Sequence, residues 1–347
     1  MSSVRPVPET RLMTGEELSA DDAAHTLRRY GLGHLLSAGF LRFRYGDGFS
    51  HARAFGLQLA LAAVPLIIAG VGLSAAAGAE GASEVVARTV LALSPGTSDE
   101  LVADAVRGSG ATGPGTGDPE DPGEQLERDD TPTGERGELV LVLGLLTAFA
   151  AATSAFAQLE RGANRIYGTE RDRPALAKYA RAAALTATAG VAMAAGLLLI
   201  VAGEPFGDAV REVYRWGAVA ETVWDVVRWP VGLALLVVAV TVLLRFAPRR
   251  RQPGLSWLGV GAAVTVLLWL VASGLLGLYV AVADTFGETY GPLTAVMALL
   301  IWANITGVAL LAGVALSAQL EAVRAGEEDP RLPDSDDDGI PDHTDPD

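Results

Sequence analysis

Six long stretches without a charged residue constrain this chain more than any other feature of its sequence. They cover residues 54–79, 139–159, 182–203, 229–244, 252–283 and 289–320. Five of them exceed the roughly 20 residues that a helix needs to cross about 30 Å of hydrocarbon. The fourth is shorter, but Phe246 and Ala247 prolong it, and the flanking Arg228 and Arg245 can reach the lipid headgroups.

The sequence therefore predicts an all-α polytopic membrane protein with six transmembrane helices. The helices are expected at about 54–79, 139–159, 181–203, 229–247, 255–283 and 292–320. Their glycines favour close packing between helices over a solute pathway, because small side chains let two backbones approach. The glycines concerned are Gly70, Gly72, Gly259, Gly261, Gly274 and Gly277.

The distribution of basic residues predicts which way the chain crosses the membrane. Of the 26 Lys and Arg residues, 19 fall before the first helix, after the last, or in the second and fourth connections. The other three connections hold 7. Because basic residues are enriched on the cytoplasmic side of membrane proteins, both termini are predicted to be cytoplasmic.

Acidic character is concentrated outside the predicted helices. The formal charge is −15, and residues 96–137 and 321–347 each hold 11 Asp and Glu, while Lys178 is the only lysine. An acidic, lysine-poor surface is expected of a protein that works in high salt, because a Debye length of about 3 Å at 1 M screens clustered carboxylates. A GC-rich genome would explain the lysine shortage but not the acid excess. The same charge disfavours nucleic acid as a partner.

The charge pattern divides the chain into three segments. Residues 1–53 are predicted to be a cytoplasmic segment with interfacial helices at about 16–29 and 32–44, and Thr14 and Glu17 are spaced as a capping box for the first. Residues 54–323 form the membrane domain, and residues 324–347 form an acidic tail.

The connection between the first two transmembrane helices has two predicted parts. Residues 83–93 and 98–106 have the pattern of short amphipathic helices outside the membrane. Residues 108–137 are rich in Gly, Pro, Asp, Glu and Thr, which is typical of a disordered loop.

The acidic tail contains a pattern that suits calcium. Its acidic residues recur at places one, three, five, nine and twelve, with Gly339 at place six, and the segment resembles the aspartate repeats of the thrombospondin type 3 kind. Place twelve is Asp where a bidentate Glu is usual, and the predicted compartment is poor in free calcium, so a solvated acidic tail is the favoured alternative. No other cofactor is predicted. The candidate ligands are Asp334, Asp336, Asp338, Asp342 and Asp345.

Several motifs at the ends of the helices are similar to those of one known family. The run Asn164-Arg165-Ile166-Tyr167-Gly168, followed by Arg173-Pro174, comes directly after the second helix. Further motifs follow in order along roughly residues 32–323, and together they resemble the YihY/BrkB family of inner-membrane proteins. These motifs are Ser50 to Ala54 with Val64-Pro65-Leu66, Arg245-Phe246-Ala247-Pro248, Leu278-Tyr279-Val280, Phe286 to Val296, and Trp302.

The last helix departs from the family pattern. Where the family commonly ends this helix with Gly-Ala-Glu-Leu-Asn-Ala-Glu, this chain has residues 313–319 as Gly-Val-Ala-Leu-Ser-Ala-Gln. Ala315 and Gln319 cannot exchange a proton or balance a cation, so a mechanism that uses the family's glutamates there is not expected in this chain.

The resemblance implies an envelope-integrity protein, and the family has also carried a ribonuclease label. The residue types do not favour an enzyme: the four histidines are scattered at His25, His34, His51 and His343, and no metal-ligand spacing or nucleophile is recognisable. The chain also has no cysteine, which excludes disulfides, Cys-bearing zinc sites and Cys nucleophiles. We therefore expect no catalytic residues and no enzymatic activity.

Polar residues within or next to the helices are the better functional candidates, because such groups must pair or face a cavity in hydrocarbon. The leading hypothesis is a transporter of a small solute or lipid-linked substrate, with membrane lipids as partners and no predicted oligomeric state. The alternatives are a scaffold for envelope integrity and, least favoured, a membrane-embedded hydrolase. For each candidate, snorkelling or packing is the competing interpretation. The candidates are Arg53, Gln58, Pro65, Glu160, Arg161, Asn164, Arg165, Tyr167, Arg245, Tyr290 and Asn304.

Overall fold

A computed structural model describes residues 4–9, 18–76, 133–169, 171–214, 217–282 and 292–332. Apart from one isolated bridge between Val4 and Arg331, these residues form helices, turns and irregular segments. The α-helices are α1 (Ala20–Tyr30), α2 (Leu32–Tyr45), α3 (Gly48–Ala76), α4 (Thr133–Ile166), α5 (Ala175–Leu185), α6 (Val191–Val201), α7 (Gly203–Tyr214), α8 (Ala218–Phe246), α9 (Leu255–Val282) and α10 (Pro292–Arg324).

The prediction of six membrane-spanning helices is confirmed, since six helical segments are long and apolar enough to cross a bilayer. The second and fourth helices are longer than predicted: α4 begins at Thr133 and α8 at Ala218. The first turns of α4 therefore include residues 133–137, which the sequence predicts to be part of a disordered loop. These helices are longer than predicted because a charged residue ends an apolar stretch but does not end a helix. Each helix continues beyond its apolar stretch into the polar region. The six spans are Gly48–Gly70, Gly137–Ile166, Ala175–Val201, Val219–Phe246, Leu255–Val280 and Val296–Arg324.

The third span contains a π-helical turn that the sequence did not predict. Residues Thr186–Gly190 form this turn between α5 and α6. The hydroxyls of Thr186 and Thr188 donate to the carbonyl oxygens of Ala182 and Ala184, at 2.9 and 2.8 Å. In a π-helical turn the regular pattern of backbone hydrogen bonds is interrupted. The threonine hydroxyls supply additional donors to carbonyl oxygens at this point.

The first N-terminal helix begins later than predicted, at Ala20. Ser19 is extended, with φ −108° and ψ 173°, and it caps α1, so a helix cannot run through it from residue 16. Ser19 and Asp22 form a capping box for α1, in which the Ser19 N–H donates to the Asp22 carboxylate at 2.9 Å. The predicted capping box of Thr14 and Glu17 lies outside the described residues. The second predicted helix is confirmed as α2. The predicted helices at 83–93 and 98–106, and loop residues 108–132, lie outside the described residues.

The chain forms two compact units. Unit 1 contains residues 1–62, 149–197 and 231–347, and unit 2 contains residues 63–148 and 198–230. In unit 1, helices α9 and α10 pack against each other, and α10 also packs on α2. The two C-terminal helices meet through small residues, because a methyl group on Gly261 would overlap Ser317 and one on Gly313 would overlap Thr265.

Helix α3 approaches α10 equally closely within unit 1. A Cβ atom on Gly56 would lie 2.9 Å from the backbone of Ala303, and one on Gly307 would lie 2.6 Å from the carbonyl oxygen of Ala52. This contact of backbone on backbone holds the first and last spans together.

Unit 2 has close packing of its own between α3 and α4, where a Cβ on Gly144 would lie 2.7 Å from the backbone nitrogen of Ala69. Its other helices, α7 and α8, are joined by polar contacts. The Trp224 indole donates to the carbonyl oxygen of Gly203 at 2.6 Å, and Arg228 pairs with Glu204 at 3.2 Å.

Candidate functional site

A set of buried or largely buried polar side chains gathers in unit 1. They come from the ends of α2, α4 and α10 and from the segments that follow α4 and α8. Helix α4 ends at Ile166, and Gly168 adopts a φ of +73°, which favours glycine and turns the chain away from the helix axis. We call the set the polar cluster; it consists of Arg42, Glu160, Asn164, Tyr167, Arg173, Arg250, Gln252, Gln319 and Glu321.

Glu160 and Arg173 form the first ion pair of the cluster. Glu160 is 1% exposed, and its Oε1 accepts from Arg173 Nη1 at 2.6 Å. The same guanidinium donates to the carbonyl oxygens of Ala247 and Pro248, at 3.1 and 3.0 Å, and so joins the segment after α4 to the end of α8. Among the described residues, the second carboxylate oxygen of Glu160 has no hydrogen-bond partner.

Asn164 lies one helical turn after Glu160 on the same face of α4. Its side-chain oxygen accepts from the backbone N–H of Arg249 at 2.7 Å, and its amide nitrogen lies 3.4 Å from Asp172. Asp172 in turn lies 3.4 Å from Arg161 and 3.8 Å from Lys178. Asn164 therefore holds the segment after α8 against α4 through a hydrogen bond between neutral groups. The ion pairs of Asp172 with Arg161 and Lys178 do not involve that segment.

Arg250 and Glu321 form the second buried ion pair. Arg250 Nη2 lies 2.7 Å from Glu321 Oε1, and the guanidinium stacks over the ring of Tyr167 at 4.6 Å from the ring centre. The Tyr167 hydroxyl donates to Gln252 Oε1 at 3.1 Å. Burial raises the pKa of the Tyr167 phenol above its ordinary value, so the hydroxyl remains a proton donor.

Arg42 is 0% exposed and binds neutral acceptors. Its Nε donates to Gln319 Oε1 at 2.8 Å, and its Nη1 donates to the carbonyl oxygens of Arg5 and Ile166, at 3.0 and 3.3 Å. Gln319 is itself held by the carbonyl oxygen of Glu328 at 2.8 Å. Burial lowers the pKa of Arg42 to about 10, because the charged form is poorly solvated there.

The extended segment 4–9, which we call the N-terminal strap, covers part of the cluster. The carbonyl oxygens of Val7 and Pro8 accept from Arg250, each at 3.2 Å, and the Val7 N–H donates to the carbonyl oxygen of Tyr167 at 3.1 Å. Arg5 donates its backbone N–H to the carbonyl oxygen of Pro330 at 2.9 Å and pairs its side chain with Glu327. Val4 and Val7 are buried.

The structure brings some of the predicted site residues together and leaves others apart. Glu160, Asn164 and Tyr167 belong to the polar cluster, and Arg245 borders it by donating to the carbonyl oxygens of Gln252 and Pro253. By contrast, Arg161 is exposed and Arg165 is half-buried.

The remaining predicted residues lie elsewhere. Arg53 is exposed, and Gln58 and Asn304 are half-buried on α3 and α10 in unit 1. Pro65 is inside α3 in the part that belongs to unit 2. The predicted residues outside the described part of the chain are Tyr290, Asp334, Asp336, Asp338, Asp342 and Asp345.

Sequence reasoning missed Arg42, Arg250 and Glu321. One signal could have found Glu321, since it is followed by the apolar Ala322 and Val323. A charged residue that interrupts an apolar pattern near its end is a candidate for burial with a partner, whereas the sequence analysis counts Glu321 only among the acidic residues of 321–347.

Comparison with known proteins places these observations in a family. The profile of the family described as "Virulence factor BrkB" matches residues 40–338. A curated relative, the ribonuclease-like protein YfkH of Bacillus subtilis (strain 168), is 24% identical over 181 residues, which are 52% of this chain and 66% of the relative. The match thus spans just under two thirds of that relative's length. No solved structure matches the chain.

Proposed function

The chain belongs to the BrkB family of multi-pass cell-membrane proteins, and on this basis we propose that it moves or gates a small solute or a lipid-linked molecule across the membrane. The family is not a known enzyme family. The proposal therefore concerns binding and passage, and it assigns no chemical step to any residue.

The observation that carries this proposal is the burial of Glu160 within a membrane span. A carboxylate in such a position is costly, and intramembrane ionisable residues commonly mark the paths of ions, protons or polar solutes. One oxygen of Glu160 is bound by Arg173, and the other has no hydrogen-bond partner in the described part of the chain. The free oxygen can accept a proton, a cation or a donor group of a solute.

Glu160 also bears on the departure of α10 from the family pattern. Residues 315 and 319, where the family commonly has glutamates, are Ala and Gln here. A mechanism that needs a carboxylate buried in a span can use Glu160 instead, because it retains an unbound oxygen close to the end of α4.

The test is transport in vesicles that contain the purified protein. We expect lipid scrambling or solute flux above that of protein-free vesicles, and we expect Glu160→Gln to slow it about tenfold, the effect of about 1.4 kcal/mol on a barrier. Glu138→Gln is the matched control, because Glu138 is exposed on the same helix, and it should leave the rate unchanged. Absence of scrambling or flux for every envelope lipid and solute tested would reject the proposal.

A second candidate function is a scaffold for envelope integrity. It is favoured by the way in which the cluster arginines bind backbone carbonyls of other segments, as Arg173 does with Ala247 and Pro248, since such bonds fasten the chain together. Replacing Asn304 and Arg165 by Ala separates the two candidates. A scaffold should keep its cellular phenotype if the variant folds, whereas a transporter should lose activity.

A ribonuclease is the least supported candidate, and it is suggested by the name of the Bacillus subtilis relative and by the label that the family has carried. Among the described residues, no group of three or more His, Cys, Asp or Glu could hold a metal ion. We expect no RNA cleavage by the purified protein. Cleavage that disappears on a single acidic substitution would reverse this conclusion.

A further inference from the structure

Within the described ranges of the chain, the buried guanidinium of Arg42 has no carboxylate among its hydrogen-bond acceptors. These acceptors are the side-chain oxygen of Gln319 and the carbonyl oxygens of Arg5 and Ile166, all of them neutral. In the described structure its Nη2 atom is buried without any acceptor. A fully buried cation in this state is under-compensated, since charged groups are normally buried with a counter-charge.

The N-terminal strap supplies neutral acceptors where an anion would bind more strongly. The carbonyl oxygen of Arg5 binds Arg42, and that of Val7 binds Arg250. The two carbonyls are two residues apart and so lie within about 7 Å of each other along the chain. Both guanidiniums therefore face one short stretch of the strap. Arginine is the residue best suited to bind phosphate or carboxylate oxygens, because its planar fork offers two parallel donors.

The sequence of the strap explains why it can occupy such a site. Pro6 and Pro8 follow Arg5 and Val7, and a residue that precedes proline is restricted to extended conformations. Proline also has no N–H group, so the strap presents few donors that would need their own acceptors. The strap is therefore an extended segment rich in hydrogen-bond acceptors. Its carbonyl oxygens accept from the arginines as the oxygens of an anion would.

We propose that Arg42 and Arg250 form a binding site for a singly charged oxyanion, such as a phosphodiester group, and that the N-terminal strap occupies this site until the anion displaces it. The charge follows from the pairs around the site. Glu321 pairs with Arg250 at 2.7 Å and also interacts electrostatically with Arg42, so one carboxylate meets two buried guanidiniums and one positive charge is left to be matched.

The contacts that hold the strap are replaceable ones. The pair of Arg5 with Glu327 is about one third exposed on both sides, and exposed pairs contribute at most about 1 kcal/mol. Gly168 limits the fit, because a Cβ there would lie 2.6 Å from Pro6 Cα. Any side chain at position 168 would therefore push the strap away from the polar cluster.

This inference goes beyond the proposed function, because the anion can bind whether or not it is moved across the membrane. A lipid headgroup and a free anion in solution share the required chemistry. The experiment measures binding and strap displacement in detergent, and so its outcome is separate from that of the vesicle assay.

The chain has no cysteine, so a single introduced cysteine reports on one position without further changes. The probe is the rate at which a maleimide labels Val7→Cys in an uncharged maltoside detergent. Short-chain phosphatidylglycerol and inorganic phosphate are added separately, with short-chain diacylglycerol as the uncharged control. We expect an acceleration of about tenfold at saturation. Acceleration by phosphate places the ligand in solution, and acceleration by the lipid alone identifies a headgroup.

Two variants examine the site and the strap independently. Arg42→Gln should abolish the acceleration, whereas Arg28→Gln, at an exposed arginine of α1, should retain it. Gly168→Ala should make Val7→Cys reactive without any anion, and it should lower the half-saturating anion concentration about tenfold, because the strap no longer competes.

Three outcomes would overturn the proposal. The first is no acceleration by either anion, and the second is equal acceleration by diacylglycerol. The third is a Gly168→Ala protein in which the strap is reactive but the anion binds no more tightly. Ala155→Cys, buried in α4, must stay unreactive throughout, and its labelling together with Val7→Cys would mean unfolding and would also reject displacement.

Discussion

Arginines on the predicted cytoplasmic side of this chain differ in what their guanidinium groups bind, although the positive-inside bias accounts equally for their placement there. Arg53 and Arg161 are exposed, and Arg161 pairs with Asp172 at 3.4 Å. Arg173 and Arg250 instead each bind a carboxylate of their own, Glu160 and Glu321, and carbonyl oxygens of other chain segments. An exposed arginine contributes little to stability, whereas removal of a buried one leaves its partner unsolvated.

This difference predicts unequal effects of two alanine substitutions. Arg173→Ala should lower the free energy of unfolding by about 3 kcal/mol or more, because Glu160 would remain buried without its cation. Arg161→Ala should lower it by less than about 1 kcal/mol. Reversible unfolding of the detergent-solubilised protein measures both. Adding Glu160→Gln to Arg173→Ala should recover part of the loss, and a double variant less stable than Arg173→Ala would contradict the interpretation.

Some residues of the polar cluster could be predicted from the sequence and others could not. Glu160 and Asn164 were recognisable because four-residue spacing puts them on one helical face. Arg42 and Arg250 were not, because no local pattern tells which distant segment approaches a loop. Their burial depends on a strap more than 30 positions before Arg42 and on a helix end near residue 320.

At the scale of the elements, the contact between α9 and α10 shows how helices pack where lipid provides no hydrophobic drive. Each helix contributes a glycine and a hydroxyl residue four positions later: Gly261 with Thr265, and Gly313 with Ser317. The pairs are reciprocal, since each glycine lies against the hydroxyl residue of the other helix. Of the six glycines predicted to pack closely, Gly261 and Gly72 do so, while Gly70, Gly259, Gly274 and Gly277 have open space where a Cβ would be.

Substitution at this contact should therefore depend on position. Gly313→Val should lower the free energy of unfolding by about 2 kcal/mol or more, because its methyl groups would overlap Thr265. Gly274→Val, with nothing within 4 Å of its Cβ, should have little effect. Thermal unfolding of the two variants in the same detergent makes the comparison. Similar losses for both would mean that helix propensity, and not packing, determines the cost.

The start of α1 predicts a pH-dependent effect. Hydrogen bonds from Ser19 lower the pKa of Asp22 below its ordinary value of 3.8, so their contribution to stability is present above that pH and is lost as pH falls through the lowered value. Ser19→Ala keeps the backbone bond to Asp22 but removes the hydroxyl bonds, so it should cost about 1 kcal/mol at neutral pH and less in acid, where the protonated carboxyl no longer accepts from the hydroxyl. Unfolding measured between neutral and acidic pH, against wild type, gives this difference. A cost that does not change with pH would show that the carboxylate plays no part.

At the scale of the whole molecule, apolar length was sufficient to predict all six spans, but the loops required the structure. The spans follow from hydration alone, since no uncharged stretch of about 20 residues is stable in water without extensive burial. The strap on the polar cluster did not follow, because it depends on contacts between segments that are distant in sequence, and the π-helical turn at residues 186–190 was not predicted either.

The contacts of unit 1 place four parts of the chain at the same end of the helices. The strap meets the segments after α4 and α8, and Arg42 meets the end of α10. An even number of crossings separates these parts, as the topology of six spans requires. Of the 26 basic residues, 19 lie before the first predicted helix, after the last, or in the second and fourth connections, to which these parts belong. The positive-inside bias therefore predicts that this end faces the cytoplasm.

Single cysteines give a direct measurement of this orientation in a chain that has none of its own. Glu328→Cys, exposed beyond α10, should react with a membrane-impermeant maleimide only after the cells are permeabilised. Gly217→Cys, exposed between α7 and α8, should react in intact cells, because an odd number of crossings separates it from the C-terminus. Reversal of both results would mean that the protein has the opposite orientation, with the strap and its oxyanion site outside the cell. Reaction of both positions on the same side would mean that an even number of crossings separates them, which would refute the six-helix topology.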